Sequence, residues 1–423
     1  MEVQQLSLDR IETLPQHITE AILCLMPFRD AVSTSILSKD WRYNWAKIPK
    51  LVFDTEDMFD WMAITDQVSK PVLDEEDLEW EDSFYVGPRT NHYKRTVYNA
   101  INDILFLHEG QINDFTLILH IDNISVEIDQ TMNYLSRNNH TTLKKFKLDL
   151  GDHHNLYRLP LSIFSFHRLT DLYLKVCDLD FEPIFTGFGC LTSLHLENVR
   201  ATTTTLLRLL SKSPSLKSFT LIKTEFHIGD DRFLNRDEYS LTDLFECLPV
   251  IEHFCVSMSV IGVVFCCCVV PHKLPPSLVH VKHLTLDEVF FPQCIPFALL
   301  MIKCSPNLEK LKLQVTIYRK YSYFQSETDD VTYSDISLEH LKELEIEDFA
   351  NMKSELDFVK FILTKSPMLK KVSICLHPEV DMLEEVMTLR ILLHSPRASP
   401  MVKIIVECPP KKYKGRTHIT DPL

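Results

Sequence analysis

The sequence predicts an α/β protein in which a small helical unit at the amino terminus precedes an elongated array of alternating strands and helices. The chain of 423 residues exceeds what one compact core usually holds, which favours several units or a repeat array. A short apolar pattern recurs through the body of the chain, and Ser-Pro pairs end three of the helical stretches between its copies. Together these observations predict a solenoid with a curved parallel sheet inside and helices outside.

The first fifty residues predict three short helices. Pro15 suits the first turn of a helix, because its missing N–H would have no partner there, and apolar residues follow it at spacings of three and four. Pro27 ends this helix, Asp30 can cap a second one, and Ser38 can cap a third. So small a unit cannot bury all of these apolar side chains alone, so we expect part of its apolar surface to contact something else.

This segment resembles the F-box of plant proteins, whose pattern runs LP, IL, LP and then SxLSKxWRxxW. The elements of that pattern present here are Leu14-Pro15, Ile22-Leu23, Met26-Pro27, residues 34–42 (TSILSKDWR) and Trp45. The chain departs from the pattern at Met26, where Leu is common, and at Asp40, where Arg is common. Neither departure removes an apolar anchor.

The resemblance implies docking to a Skp-type adaptor and, through it, to a cullin scaffold. The positions that it assigns to this contact are Leu14, Pro15, Ile18, Ile22, Leu25 and Pro27, with Leu37 and Trp41 supporting or joining them. The alternative is that these residues only form the core of a helical cap on the repeat array. For Trp41 and Trp45, packing within the chain is the favoured role.

An LxxLxL-type core recurs through the body of the chain. Its copies begin at Leu143, Leu169, Leu191, Leu216, Val281, Leu308, Leu341 and Leu369, with a degraded copy at Ile251. Apolar residues two positions apart share one face of a strand, so stacked copies predict a parallel sheet. Residues 169–179 (LTDLYLKVCDL) match the full leucine-rich-repeat pattern. Helical stretches at 205–212, 297–303 and 356–365 end in the Ser-Pro pairs that return the chain to a strand.

The last third carries a second resemblance. Residues 341–374 look like the FBD domain that plant F-box proteins often carry, and a strand at 402–406 would close it. The chain as a whole is therefore similar to the plant F-box/FBD/leucine-rich-repeat proteins. The predicted domains are an F-box at 8–52, an acidic connecting segment at 53–93, a leucine-rich-repeat solenoid at 94–335, an FBD domain at 336–408 and a tail at 409–423.

Composition excludes several functional classes. The 44 Lys and Arg against 59 Asp and Glu give a formal charge of −15, which disfavours nucleic acid as a partner. Neither a signal segment nor a membrane anchor is expected, because the start of the chain lacks the required pattern and the apolar stretch 254–270 is too short. The 12 cysteines are interpreted as reduced thiols, which favours the cytosol or the nucleus.

The sequence predicts no catalytic residue, metal site or cofactor. Only eight glycines occur, and the motifs of phosphate-binding loops, zinc proteases and nucleophile elbows are missing. We interpret His153-His154 as a solvated turn without a third ligand. The run 266–268 (CCC) lacks the two-residue gap of a zinc knuckle, and buried packing is its favoured interpretation.

We therefore expect a non-catalytic substrate-recognition adaptor of a Skp-cullin-F-box ubiquitin ligase. Client contacts are expected on the concave strand face, at the polar positions between the leucines. The candidates are Asp171, Tyr173, Lys175, Ser193, His195, Glu197, Ser218 and Thr220. Two alternatives stay open: a receptor for a small molecule, for which the lysines at 175, 312 and 320 could supply a basic pocket, or a repeat scaffold without a ligase role.

Overall fold

The computed structural model describes residues 14–39, 41–58, 88–120, 125–151, 155–179, 187–226, 241–264, 276–316, 336–378, 380 and 382–407. The chain divides into two compact units, Met1–Leu216 and Lys217–Leu423, hereafter the first and second units. Some sequence predictions lie outside the described residues: the pair at 153–154, the run 266–268, Lys320, most of the acidic segment and all of the tail.

The amino-terminal helical segment, residues 14–48, contains two α-helices, α1 (Gln16–Leu23) and α2 (Phe28–Ser33), and two 3-10 turns (Thr34–Ile36 and Asn44–Lys47). The third predicted helix forms only as the 3-10 turn Asn44–Lys47, which carries Trp45. Ser38 does accept the backbone N–H of Trp41 at 3.4 Å, yet the chain continues as turns. Asp30 is not the cap of α2 either: Pro27 occupies that position, and Asp30 lies in the first turn, where its charge complements the helix dipole.

The first unit is built on a parallel sheet in the order β1 (Lys50–Asp54), β2 (Asp114–Ile118), β3 (Lys145–Asp149), β5 (Asp171–Lys175) and β7 (Ser193–Glu197). Three two-residue strands, β4 (Tyr157–Arg158), β6 (Cys177–Asp178) and β8 (Arg200–Ala201), pair beside it. Its remaining helices are α3 (Pro88–Leu107), α4 (Ser125–Asn138), a 3-10 turn (Leu161–Ser165) and α5 (Thr203–Ser211). Alternate residues of each main strand are buried, as period two requires.

The second unit repeats this architecture. Its parallel sheet runs β9 (Ser218–Ile222), β11 (His253–Ser257), β12 (His283–Val289), β13 (Lys310–Val315), β14 (Glu343–Phe349), β15 (Lys371–Leu376) and β16 (Lys403–Glu407). A short strand β10 (Glu225–Phe226) follows β9. The helices are α6 (Leu241–Glu246), α7 (Met258–Val264), a 3-10 turn (Pro276–His280), α8 (Ile295–Lys303), α9 (Lys353–Lys365) and α10 (Met382–His394). The predicted α/β fold class is confirmed.

A buried serine precedes the proline in three of the turns that return a helix to a strand. Ser213, Ser305 and Ser366 are at most 1% exposed, and the hydroxyl of Ser213 donates to the carbonyl of Leu209 at 2.9 Å. Ser399 occupies a fourth turn of the same kind before β16, and its hydroxyl donates to the carbonyl of Leu369 at 2.7 Å. The Ser213 hydroxyl therefore satisfies a carbonyl group near the end of α5, whereas the buried hydroxyls of Ser305 and Ser366 have no hydrogen-bond partner among the described residues.

A row of phenylalanines joins the helical segment to the first sheet. Phe28 lies with its ring centroid 5.6 Å from that of Phe53 in β1, and Phe53 lies 5.7 Å from Phe115 in β2. The row continues through Phe146 (6.1 Å) to Phe166 (6.3 Å). The predicted border at 52/53 between the F-box and the connecting segment thus falls within a strand of the sheet.

Candidate functional site

Seven large apolar side chains of the helical segment face outward. This exposed apolar cluster consists of Ile18 (39% exposed), Ile22 (40%), Leu25 (88%), Met26 (36%), Ile36 (86%), Leu37 (65%) and Tyr43 (59%). Other apolar residues of the same segment face inward and are buried, among them Leu23, Ala31 and Trp45. An apolar surface of this kind on so small a unit is typical of a protein interaction site.

The residues predicted to contact an adaptor fall into two groups. Pro15, Ile18, Ile22, Leu25, Pro27 and Leu37 are exposed, and Leu14 is half-buried. Trp41 is only 6% exposed, so it supports the segment from inside. Met26, Ile36 and Tyr43 belong to the exposed cluster although the sequence analysis did not assign them to the contact. The sequence signal for Ile36 was its apolar side chain in the run SILSK (residues 35–39). Only Leu37 of that run was predicted to contact the adaptor.

Backbone hydrogen bonds, as well as the contacts between phenylalanine rings, hold the helical segment to the rest of the first unit. The N–H groups of Glu109 and Gly110 donate to the carbonyl of Ala46 at 2.8 and 3.2 Å. The Nε2 atom of His108 lies 2.9 Å from the carbonyl oxygen of Ile48, and burial lowers the pKa of this imidazole. A Cβ atom on Gly110 would lie 2.6 Å from the backbone oxygen of Lys47, so the close approach requires glycine.

A second candidate surface lies on the polar side of the first sheet. Its centre is a stacked pair of rings, Tyr173 on β5 and His195 on β7, with centroids 4.2 Å apart and planes at 13°. The Tyr173 hydroxyl donates to Glu197 at 3.0 Å, and the Nζ of Lys147 lies 4.5 Å from the centroid of the Tyr173 ring. Lys175 lies 3.6 Å from Glu197. These side chains, together with Asp149, form what we call the polar strand face.

The eight residues predicted to bind a client do not all fall on this face. Six lie in the first unit: Asp171, Tyr173, Lys175, Ser193, His195 and Glu197, all half-buried on β5 and β7. Ser218 and Thr220 lie on β9 of the second unit, where His253 and Cys255 are their register partners on β11. Burial raises the pKa of the Cys255 thiol to about 12, so it is protonated at neutral pH. The sequence prediction did not include Lys147, because it took client residues only from the copies that begin at Leu169, Leu191 and Leu216. Lys147 lies in the preceding copy, on β3, opposite Tyr173.

Charged residues on the second sheet pair with each other. Lys312 lies 2.6 Å from Glu347 and 3.3 Å from Glu345, and Lys310 lies 2.8 Å from Glu345. Hydrogen bonds from Lys310 and Lys312, of which that from Lys310 has the larger effect, hold the pKa of Glu345 below its usual value. Two of the three lysines proposed for a basic ligand pocket, Lys175 and Lys312, are therefore paired with carboxylates, and they belong to different units.

The described residues contain no group of three or more His, Cys, Asp or Glu side chains that could hold a metal ion. A serine and carboxylate cluster does occur in the second unit, where Ser257 and Ser259 both donate hydrogen bonds to Glu288. Ser257 is completely buried and Ser259 is half-buried, and through Glu288 the cluster joins β11 and α7 to β12. In the part of the chain that the structure covers, no helix is long and apolar enough to cross a membrane.

Comparisons with known proteins match three segments. The F-box family model matches residues 11–52, a model described as "FBD-associated F-box protein At5g56370, LRR repeats" matches residues 132–236, and the FBD model matches residues 337–374. Their order along the chain is that of the segments predicted from the sequence.

Relatives in Arabidopsis thaliana carry two or all three of these domains in their names. F-box/FBD/LRR-repeat protein At1g13570 is 26% identical over 450 residues, which cover 94% of this chain and 98% of that protein. F-box/FBD/LRR-repeat protein At1g51370 is 28% identical over 57% of this chain, and F-box/LRR-repeat protein At5g02910 is 27% identical over 45% of it. The last two alignments span 47% and 38% of those relatives. Among solved structures, a complex of Latrophilin 3, Unc5D and FLRT2 (LRR) matches at 14% identity, covering 62% of this chain and 83% of that one, with a TM-score of 0.23.

Proposed function

We propose that this chain, which belongs to the F-box/FBD/leucine-rich-repeat family of plant proteins, is the substrate-recognition adaptor of a Skp-cullin-F-box ubiquitin ligase. Its helical segment docks to a Skp-type adaptor and thereby to a cullin, and the strand faces of its repeats bind a client protein. The chain itself performs no chemistry in this proposal. It raises the local concentration of client lysines around a ubiquitin-charged partner, and the other subunits supply the reaction.

The exposed apolar cluster carries the docking half of the proposal. Leu25 and Ile36 are more than 80% exposed, while Leu23 and Ala31 beside them are buried. Apolar side chains exposed to water in the free protein raise its free energy. A partner that covers them removes this apolar surface from water, and that burial favours binding. The same segment is fixed to the first unit through Phe53 and the carbonyl of Ala46, so a docked partner is held in a defined position relative to the first sheet.

The polar strand face carries the client half. A Tyr and a His ring stacked on a sheet surface, with a lysine ammonium group over one ring, provide a preorganised aromatic contact, because their mutual packing already restricts their rotamers. Tyrosine is also enriched among residues that dominate binding energy at interfaces. A small-molecule receptor gains no support from the described residues, because Lys175 and Lys312 are paired with carboxylates.

Co-purification with a plant Skp-type adaptor tests the docking half. The variants Leu25→Asp and Ile36→Asp place a charge in the cluster at positions exposed enough to leave the fold intact, and we expect each to reduce capture at least tenfold. Leu161→Asp is the matched control, since Leu161 is an exposed leucine (52%) elsewhere in the first unit. Capture of the Leu161 variant should equal that of the unmodified chain.

Equal capture by all three variants would contradict docking through this cluster. A chain that never binds a Skp-type adaptor would instead favour the repeat scaffold without a ligase role. For the client half, proximity labelling with the proteasome inhibited should enrich proteins that are lost when Tyr173 is replaced by Ala and retained when Leu161 is replaced by Ala.

A further inference from the structure

The last described repeat of the second unit, α10 followed by β16, differs from the repeat before it. In α9, the large apolar side chains are buried or half-buried. In α10, five of them are exposed: Leu383 (67%), Val386 (49%), Met387 (54%), Ile391 (40%) and Leu393 (47%). Among the residues of this helix whose side chains are described, only Thr388 and Leu392 are fully buried. One side of α10 packs on β16 of its own repeat, and the opposite side, which also carries the exposed Arg390 and His394, faces outward.

Strand β16 shows the same change. Val372 and Ile374 of β15 face the core and are at most 1% exposed. Their register partners in β16, Ile404 and Val406, are only half-buried. Among the described residues β16 pairs with β15 alone, so one edge of it is unpaired. Terminal repeats of solenoids normally end in a polar face, and an uncovered apolar edge strand is a site for pairing with another chain.

The backbone shows which groups lie at this edge. The N–H of Lys403 donates to the carbonyl of Lys370, so the backbone groups of Lys403 point toward β15. Because these groups alternate sides along a strand, Ile405 and Glu407 also point toward β15, and Ile404 and Val406 point outward. The free edge therefore offers two backbone N–H donors and two carbonyl acceptors, which belong to Ile404 and Val406.

The sequence of β16, KIIVE, is complementary to itself when two copies run antiparallel. With Ile405 opposite Ile405 of a second copy, Lys403 faces Glu407 and Ile404 faces Val406. This register joins the outward backbone groups in four hydrogen bonds and places opposite charges at both ends. A parallel arrangement would place lysine opposite lysine. The same twofold axis relates the two copies of α10, as an isologous interface requires.

We propose that the chain forms a twofold symmetric homodimer through β16 and α10 of the last repeat. The occupant of the open edge is a second copy because the charges and hydrogen-bonding groups match in that arrangement. The sequence of residues 408–423 (CPPKKYKGRTHITDPL) suits the role poorly, since two prolines follow Cys408 close to the strand end and few of its residues are apolar. A dimer would carry two F-boxes and two client faces, which increases avidity for a client with two binding sites.

Sedimentation equilibrium of the full chain, over a range of protein concentrations, tests this arrangement. We expect a reversible monomer–dimer equilibrium. Lys403→Glu should raise the dissociation constant about tenfold, because it creates two like-charged pairs in each dimer. Lys403→Glu combined with Glu407→Lys restores both opposite-charge pairs and should restore dimerisation. Val406→Pro removes an outward N–H without removing a hydrogen bond to β15, and should give a monomer.

Two further variants separate loss of the interface from loss of the fold. Met387→Glu lies on the exposed side of α10 and should give a folded monomer, while Leu161→Glu in the first unit should leave the dimer unchanged. A chain that stays monomeric at all concentrations would overturn the proposal. So would a dimer that Lys403→Glu leaves intact, or one that the double charge reversal fails to rescue. None of these measurements involves a Skp-type adaptor, so the result is independent of the proposed ligase role.

Discussion

The first strand of the first unit and the last strand of the second unit meet different surroundings. In β1, the core-facing residues Leu51 and Phe53 are at most 1% exposed, because the helical segment packs against them. In β16, the equivalent residues Ile404 and Val406 are half-buried, and α10 exposes five large apolar side chains. The difference indicates that the segment matched by the F-box model is also the cap of its repeat unit, whereas no described residue caps the apolar end of the last described repeat.

The largest expected effect comes from breaking the cap at β1. Phe53→Ala removes the ring that contacts both Phe28 and Phe115, and should destabilise the first unit by about 4 kcal/mol. Chemical denaturation followed by tryptophan fluorescence would measure this, since Trp41 and Trp45 are buried in the adjacent segment. Leu25→Ala, at a side chain that is 88% exposed, should change stability by less than about 0.5 kcal/mol. Similar losses for the two variants would contradict the capping role.

The second prediction concerns a buried carboxyl group near the open end. Burial raises the pKa of Glu355 to about 7, although the backbone N–H groups of Met352, Ala350 and Asn351 lower it. The Glu355 Oε2 atom accepts the N–H of Met352 at 2.9 Å and so caps α9. The folded state holds the Glu355 proton more tightly than the unfolded chain does. The contribution of Glu355 to the free energy of unfolding is therefore greatest below its ordinary pKa of about 4.5, and it falls as the pH rises toward 7.

Glu355→Gln isolates this effect, because glutamine still accepts the Met352 N–H but does not titrate. The stability of the unmodified chain relative to the glutamine variant should fall by up to about 3 kcal/mol between pH 4.5 and pH 7. Denaturation curves at several pH values would measure the difference. A constant difference over this range would mean that Glu355 keeps an ordinary pKa.

The third prediction tests the close approach between the helical segment and the first sheet. Gly110→Ala places a methyl group 2.6 Å from the backbone oxygen of Lys47, which has to shift, and should cost about 2 kcal/mol. Gly189→Ala is the matched control, because a Cβ there meets no atom within 4 Å. Thermal unfolding should separate the two variants by several degrees. If they unfold together, the segment is less tightly held than the Ala46 hydrogen bonds indicate.

The sequence predicted those features that depend on local patterning. The alternation in LxL predicted the buried Leu172 and Leu174, and the repeated Ser-Pro pairs correctly predicted where helices return to strands. The motif at residues 14–45 predicted the helical segment, although propensity alone overestimated its third helix. Nothing local distinguishes Ser38 as the cap of a helix from Ser38 as the cap of a turn.

Features that depend on which neighbour covers a residue were not predictable from the pattern. Ile36 resembles a core residue by type, yet it is 86% exposed and lies in a turn, Thr34–Ile36, that has no buried residue. The helix α10 is apolar on nearly all sides, so its periodicity does not show which side is covered. Val176 adopts a left-handed conformation with φ of 61°, which a β-branched residue rarely does, and only tertiary packing could impose it.

The smallest expected effect sharpens the comparison at the open end. Ile404→Ala should cost about 1 kcal/mol in dilute protein, because its side chain is only partly covered. Ile374→Ala, one strand inward and 1% exposed, should cost about 3 kcal/mol at any concentration. If a second copy covers β16, the cost of Ile404→Ala must grow as the protein concentration rises, because association adds to the stability of the folded state. A cost of Ile404→Ala that does not change with protein concentration would mean that no second copy covers β16. The cost of Ile374→Ala is the control, because it would show that the measurement detects a loss of packing in this repeat.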